Sequence, residues 1–204
     1  MTAAFTYADI APIKLHMRPV FKVNDEEFYA LCQLNQDWRL ERTAEGDLVI
    51  IPPAGWETGT SNAFLNATLT MWALQDGTGT AADSSTGFTL PNGAIRSPDA
   101  AWVKRPRLTT FSAVQKQKFL PLCPDFVIEL RSPSDKLKAV QEKMQEYIAN
   151  GAQLGWLIDP SERRVYVYRP GVAVECLDNP TNISGDPELP GFVLDLTRIW
   201  EANF

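Results

Sequence analysis

The strongest constraint on the fold is the apolar run Phe126-Val127-Ile128-Glu129-Leu130, which surrounds a single acid with β-favouring residues. Such a run predicts a buried strand. Alternate side chains of a strand point to opposite faces, so Glu129 is expected to project with Arg131, away from the apolar face. Burying an unpaired carboxylate costs several kcal/mol, so Glu129 needs a partner such as a metal ion, a cation or a shared proton.

The segments around this strand predict a sheet covered by helices. Ser132-Pro133-Ser134-Asp135 is typical of a capped helix start, and the helix is expected to continue to about residue 150. Asn24 and Glu27 have the spacing of a capping box and predict another helix. Further predicted elements are a hairpin (39–42 and 47–51), a helix (60–75) and strands at 78–83, 86–90, 98–103, 154–158, 164–168 and 172–177. This order favours an α/β fold with a mixed β-sheet flanked by helices.

The length of 204 residues predicts one domain spanning 1–204, with an N-terminal arm over about residues 1–23. No window is apolar enough to span a bilayer and the first residues do not resemble a signal peptide, so we expect a cytoplasmic protein. The tail around residues 189–196 is apolar enough to pack back onto the domain.

The chemistry open to the chain is limited by its single histidine, His16, and by three widely spaced cysteines. Histidine-based hydrolases and His-rich zinc sites would all depend on His16, which lies in a proline-flanked, irregular segment. No C-x-x-C pair suggests a zinc site. Catalysis would therefore rest on carboxylates, lysine and an oxygen-liganded divalent cation.

Charge is unevenly distributed along the chain. The net charge of −6 argues against a protein that coats nucleic acid through bulk electrostatics. Between residues 104 and 118, however, there are five basic residues and no acid, which leaves −11 for the remainder. These residues could face phosphates, or they could form a solvated loop and short helix. They are Lys104, Arg105, Arg107, Lys116 and Lys118.

A second acid, Asp99, follows Ser97-Pro98 at the start of another predicted strand. Asp99 and Glu129 on neighbouring strands, with Arg131 close by, would make a divalent-metal site beside a phosphate-stabilising charge. The alternative is a buried ion pair between Glu129 and either Arg131 or Lys143, with Asp99 in a turn. The spacing alone leaves both interpretations open.

Three segments resemble the Uma-type restriction endonuclease family of the PD-(D/E)XK nuclease superfamily. They are Arg96-Ser97-Pro98-Asp99-Ala100-Ala101-Trp102-Val103, the stretch from Cys123-Pro124-Asp125 to Ser132-Pro133-Ser134-Asp135, and Lys143 through Tyr147 to Gly155-Trp156-Leu157-Ile158-Asp159-Pro160. The resemblance covers roughly residue 48 to the C-terminus. It implies a restriction-endonuclease-like core and metal-dependent hydrolysis of phosphodiester bonds.

The resemblance implies roles for individual residues. Asp99 and Glu129 would bind Mg²⁺ or Mn²⁺, and Glu57 matches an acid that such nucleases often add from an N-terminal helix. Glu57 could equally be an acid favoured at a helix start by the helix dipole. The superfamily expects lysine where this chain has Arg131, which can stabilise a phosphate but cannot act as a base.

The functional lysine of the family is often supplied by the following helix, where Lys143 lies. Tyr147 is four residues further on, so both side chains share one helix face. As alternatives, Lys143 could be a surface lysine with a packed stem, and Tyr147 a core residue with a polar tip.

The resulting expectation is a Mg²⁺-dependent endonuclease that acts on nucleic acid, with DNA as the expected substrate. Nucleases of this type often pair so that two sites face two strands, which adds a homodimer to the expectation. The rival hypothesis is a catalytically inactive nuclease-like fold that acts as a binding module. Arg131 in place of lysine and the net charge of −6 favour the rival. Metal binding at Asp99 and Glu129 would discriminate the two.

Overall fold

The computed structural model describes residues 11–201. Its helices are α1 (Asp25–Leu34), α2 (Trp56–Asp76), α3 (Arg105–Leu108), α4 (Leu137–Ala149) and α5 (Thr197–Trp200). Its strands are β1 (Ile13–Leu15), β2 (Arg39–Arg42), β3 (Leu48–Ile51), β4 (Gly79–Asp83), β5 (Phe88–Thr89), β6 (Ile95–Arg96), β7 (Ala100–Lys104), β8 (Phe126–Leu130), β9 (Leu154–Asp159), β10 (Arg164–Tyr168), β11 (Glu175–Asp178), β12 (Asn182–Ser184) and β13 (Val193–Asp195).

The central sheet has six strands in the order β11-β10-β9-β8-β7-β4. β8 and β9 are parallel because α4 connects them, and the other pairs are antiparallel. All residues of β8 and β9 are buried, which fits strands that are covered on both faces. The predicted α/β class with a mixed, helix-flanked sheet is therefore confirmed.

Side chains of β8 alternate between the two faces of this sheet. Phe126 and Ile128 pack in a core with α2 and with the C-terminal tail, where Phe192 stacks on Trp156. Val127 packs in a second core with Met144 of α4. The alternation places Glu129 on the α4 side, as expected from the sequence.

A second sheet, in the order β1-β3-β2-β6-β5, forms a separate layer. Its strand β1 lies within the predicted N-terminal arm and pairs with β3, so this part of the arm is ordered structure. Residues 1–10 of the arm lie outside the described residues. The capping box at Asn24 and Glu27 is confirmed by reciprocal hydrogen bonds of 2.9 and 2.8 Å.

Two predicted helix starts are wrong. Helix α2 begins at Trp56 rather than near residue 60, so Glu57 lies inside its first turn. Helix α4 begins at Leu137, because Ser132 and Asp135 close a turn of their own before the helix. The Asp135 carboxylate accepts hydrogen bonds from the amide and hydroxyl of Ser132, so it satisfies the turn instead of a helix N-terminus.

Within residues 11–201, no helix is both long and apolar enough to cross a membrane.

Candidate active site

Asp99, which immediately precedes β7, lies beside Glu129 of the neighbouring strand β8. The antiparallel register pairs Ala100 with Ile128, so the next opposite positions are Asp99 and Glu129. The backbone N–H of Leu130 donates a 2.9 Å hydrogen bond to Oδ2 of Asp99. Both acids are at least nine-tenths buried. The structure therefore brings the two predicted acids together at one edge of the sheet.

Lys143 and Tyr147 both reach Glu129 from α4. The ammonium of Lys143 lies 2.9 Å from Oε1 of Glu129, and the Tyr147 hydroxyl donates to the same oxygen at 2.9 Å. A separation of four residues puts both side chains on one helix face, and the helix packs on the side of the sheet to which Glu129 points. The predicted convergence of these two residues is confirmed. The Glu129–Lys143 ion pair left open by the sequence is also present.

Burial controls the ionisation of Glu129. Loss of hydration raises its pKa to about 7, with smaller contributions in the same direction from Asp99 and Glu41, while Lys143 opposes the rise. The pKa of Lys143 is itself raised, because its two carboxylate partners outweigh the cost of burying its charge. Lys143 is therefore a cation and a hydrogen-bond donor here, not a base.

Glu41 of β2 is a residue of the site that the sequence analysis missed. Its Oε1 lies 2.9 Å from Nζ of Lys143 and accepts the backbone N–H of Ser97 at 3.0 Å. Its Oε2 pairs with Arg96 at 3.1 Å. Burial alone would raise the pKa of Glu41, but Lys143 and Arg96 outweigh it and lower the pKa to about 2. Glu41 is thus a fixed negative charge that holds Lys143 in place.

Arg39 is a second missed residue, two positions before Glu41 on β2. Its Nη2 donates to the Ser97 carbonyl at 2.9 Å and contacts Oδ1 of Asp99 at 3.4 Å. A signal existed in the sequence, because Arg39 and Glu41 occupy alternate positions of a predicted strand and so share one face. The local pattern does not show which other part of the chain this face of β2 packs against.

One cleft of about 980 Å³, between the two sheets, α2 and α4, is lined by Arg39, Glu41, Asp99, Glu129 and Lys143. Eight acidic and five basic side chains line it, so its net formal charge is −3. Exposed Trp56 and the prolines Pro52 and Pro53 add an apolar rim. The cleft alone would repel a polyanion, which makes bound cations necessary for a nucleic-acid ligand.

Two other predicted residues are not joined to the acids. Glu57 lines the same cleft but is exposed in the first turn of α2. Arg131 binds elsewhere: its Nη1 lies 2.7 Å from the fully buried Asp159 and 3.1 Å from the Ser161 hydroxyl. Within the described residues, the Arg131 side chain does not contact the Glu129 side chain, although the sequence predicted that the two would project together.

The predicted basic segment 104–118 lies away from the cleft. Lys104 ends β7, whereas Asp99 immediately precedes that strand, so the two are separated by the strand's length of about 17 Å. Arg107 pairs with Asp125 at 3.1 Å, and Lys118 pairs with Glu26 at 2.5 Å. None of the five basic residues lines the cleft.

The donor set fits a hard divalent cation such as Mg²⁺. Within residues 11–201, no three His, Cys, Asp or Glu side chains converge as a metal-binding group. Mg²⁺ is commonly held by only one or two carboxylates, with waters and substrate phosphates completing its shell. When ionised, the clustered acids carry four negative charges; they are Glu41, Asp99, Glu129 and Glu146. Their cationic partners carry three positive charges; they are Arg39, Arg96 and Lys143. The cluster therefore has one uncompensated negative charge. A cation beside Asp99 and Glu129 would compensate that charge.

Comparisons with known proteins agree with the fold. The sequence profile of the Uma2 family, described as "Putative restriction endonuclease", matches residues 25–197. Among solved structures, the chain is similar to "a putative nuclease belonging to DUF820" from Anabaena variabilis ATCC 29413, with a TM-score of 0.73 and 19% sequence identity. That match covers 88% of this chain and 98% of the other. No curated protein matches the chain.

Proposed function

The chain belongs to the Uma2 family of restriction-endonuclease-like proteins, and from this premise we propose that its cleft hydrolyses phosphodiester bonds of nucleic acid, with DNA as the expected substrate and Mg²⁺ or Mn²⁺ as cofactor. The observation that carries the proposal is the arrangement around Glu129. Two buried acids lie side by side, one just before β7 and one on β8, and a lysine ammonium contacts the second of them at 2.9 Å. This combination suits metal-assisted hydrolysis of a phosphodiester, because the acids can hold a divalent ion and the ammonium can stabilise developing negative charge.

Asp99 and Glu129 would hold the ion through their carboxylate oxygens. When bound, it supplies charge neutralisation of the phosphate and lowers the pKa of water. Lys143, kept protonated by Glu129 and Glu41, would donate hydrogen bonds towards the attacking water or the phosphate. Tyr147 keeps the Glu129 carboxylate oriented through its hydrogen bond.

Arg39 is the cleft residue best suited to grip the scissile phosphate. Its side chain is about one-third exposed, and its protein contacts are made through Nη2. Three carboxylates, those of Asp99, Glu129 and Glu41, keep the guanidinium charged, and arginine presents several donors to phosphate oxygens. Arg39 would therefore perform the stabilising role that the family resemblance implied for Arg131, whose guanidinium is held by Asp159.

The remaining predicted residues take peripheral roles in the proposal. Glu57 is an auxiliary acid on the cleft wall. The basic segment 104–118 contacts only substrate that extends beyond the cleft, because it lies at the other end of β7. A homodimer would present two such clefts to two strands.

The test is cleavage of supercoiled plasmid and of single-stranded DNA with Mg²⁺, Mn²⁺ or chelator. We expect Asp99→Asn and Lys143→Met to lower the rate at least about 100-fold, since the first removes the charge of a metal ligand and the second removes a positive charge beside the phosphate. Asp99→Asn keeps an oxygen that can accept from Leu130, so its folding should be preserved. Lys138→Met is the matched control, because Lys138 is exposed on the same helix and, within residues 11–201, forms an ion pair with Glu142 alone.

Calorimetric titration with Mn²⁺ separates the proposal from its rival. Metal binding that is lost in Asp99→Asn, together with metal-dependent cutting, supports the nuclease. A wild-type protein that neither binds Mn²⁺ nor cuts, yet binds nucleic acid or another partner, contradicts the proposal and supports the inactive binding module.

A further inference from the structure

Asn62 of α2 lines the same cleft and carries a buried oxygen that has no hydrogen-bond partner among the described residues. The side-chain Oδ1 of Asn62 is inaccessible to solvent and accepts no hydrogen bond from the described residues. Asn62 lines the cleft together with Asp99 and Glu129. Buried polar atoms are almost always paired, so an acceptor left free in a charged cleft calls for a cation or donor.

The fold places Asn62 directly beside Asp99. The side-chain nitrogen of Asn66, one helical turn further on, donates to the backbone carbonyl of Asn62 at 3.0 Å and to that of Asp99 at 2.9 Å. Because both hydrogen bonds share this nitrogen, the two carbonyl oxygens are at most 5.9 Å apart, the sum of the two lengths. Asn66 therefore ties the first half of α2 to the strand that carries the metal-binding acid.

An amide oxygen is a hard donor and a common ligand of magnesium, manganese and calcium ions. It adds no negative charge, which suits a cleft where acidic side chains already exceed basic ones.

We propose that Asn62 is a further ligand of the divalent cation, binding through Oδ1 beside the carboxylates of Asp99 and Glu129. The inference rests on the proposed metal-dependent function and adds a residue from α2 to its binding site. Asn66 acts as a positioning residue, because it fixes the backbone of Asn62 against that of Asp99.

Mn²⁺ affinity, measured by calorimetry on the full chain without nucleic acid, tests the inference. We expect Asn62→Ala to weaken Mn²⁺ binding at least about tenfold. Asn62→Asp should bind Mn²⁺ at least as tightly as wild type, because it keeps a ligand oxygen and adds a charge. Asn182→Ala is the control, since Asn182 is an exposed amide on β12, outside the cleft.

Metal-free thermal melting provides the control for folding. Removing an unpartnered acceptor should leave the melting temperature of metal-free Asn62→Ala at or above that of wild type. Wild-type Mn²⁺ affinity in Asn62→Ala, with binding lost in Asp99→Asn, overturns the Asn62 assignment and leaves the proposed function standing. Loss of affinity in both Asn62→Ala and Asn62→Asp overturns it as well, because that pattern indicates a structural role. Absence of Mn²⁺ binding in the wild type overturns both proposals.

Discussion

Replacing Glu129 with glutamine should remove the pH dependence that this residue imposes on the free energy of unfolding. Burial raises the pKa of Glu129 from 4.5 to about 7, so between these values the folded protein holds a proton that the unfolded chain has released. The free energy of unfolding therefore falls as pH rises through this window. Each pH unit is worth about 1.4 kcal/mol, so the loss reaches about 3 kcal/mol above pH 7.

Glutamine cannot ionise, yet it keeps an oxygen that accepts from Tyr147 and Lys143. We expect Glu129→Gln and wild type to have similar stabilities near pH 4.5. At pH 8 and without metal, the variant should be more stable by up to about 3 kcal/mol. The assay is urea unfolding at several pH values in the presence of chelator, followed by tryptophan fluorescence.

The difference between the two proteins isolates Glu129, because other titrating groups contribute to both curves. Saturating Mn²⁺ should stabilise the wild type at pH 8, because binding at the ionised carboxylate adds its free energy to folding. A stability difference that stays constant between pH 4.5 and pH 8, or a variant that is less stable at pH 8, would refute the assigned pKa and the burial argument behind it.

Four further predictions concern substitutions at other residues. Glu41→Gln should lower the free energy of unfolding at neutral pH by about 3 kcal/mol, since it leaves two buried cations short of a charge. It should also flatten the wild-type loss of stability as pH falls from 4.5 towards 2, measured by acid titration of the fluorescence. Gly59→Ala should stabilise α2 by about 0.5–1 kcal/mol, because its Cβ meets nothing within 4 Å. Gly79→Ala should destabilise the protein by about 1–3 kcal/mol, because its Cβ would overlap the Trp102 ring. A variant that melts at the same temperature as wild type would contradict the prediction for that glycine. Lys104→Glu should weaken the binding of long duplexes and flatten the salt dependence of that binding, while the binding of short oligonucleotides stays unchanged. An equal effect on both lengths would place Lys104 at the cleft.

Local sequence was enough to predict much of the site. The strand carrying Glu129 has the predicted bounds, and the four-residue spacing of Lys143 and Tyr147 puts them on one face of α4. The start of α4 was mispredicted because a serine followed three residues later by an acid occurs both in helix capping boxes and in isolated turns. Ser132 and Asp135 form such a turn. Helix periodicity is a property of neighbouring residues, so it survives an error in the boundary.

The sequence-level pattern thus determined which strand holds an acid, which helix face meets it and which chemistry is open to a chain with one histidine. Which charges surround that acid depended on chain segments that are far apart. Lys143 and Glu41 are 102 residues apart in sequence, and the second sheet must fold against the first before they meet. Ionisation follows the same rule, because the pKa values of Glu129 and Glu41 depend on burial and on charges brought from other elements. Hydrophobic periodicity reports the face of an element, and tertiary packing alone selects what that face touches.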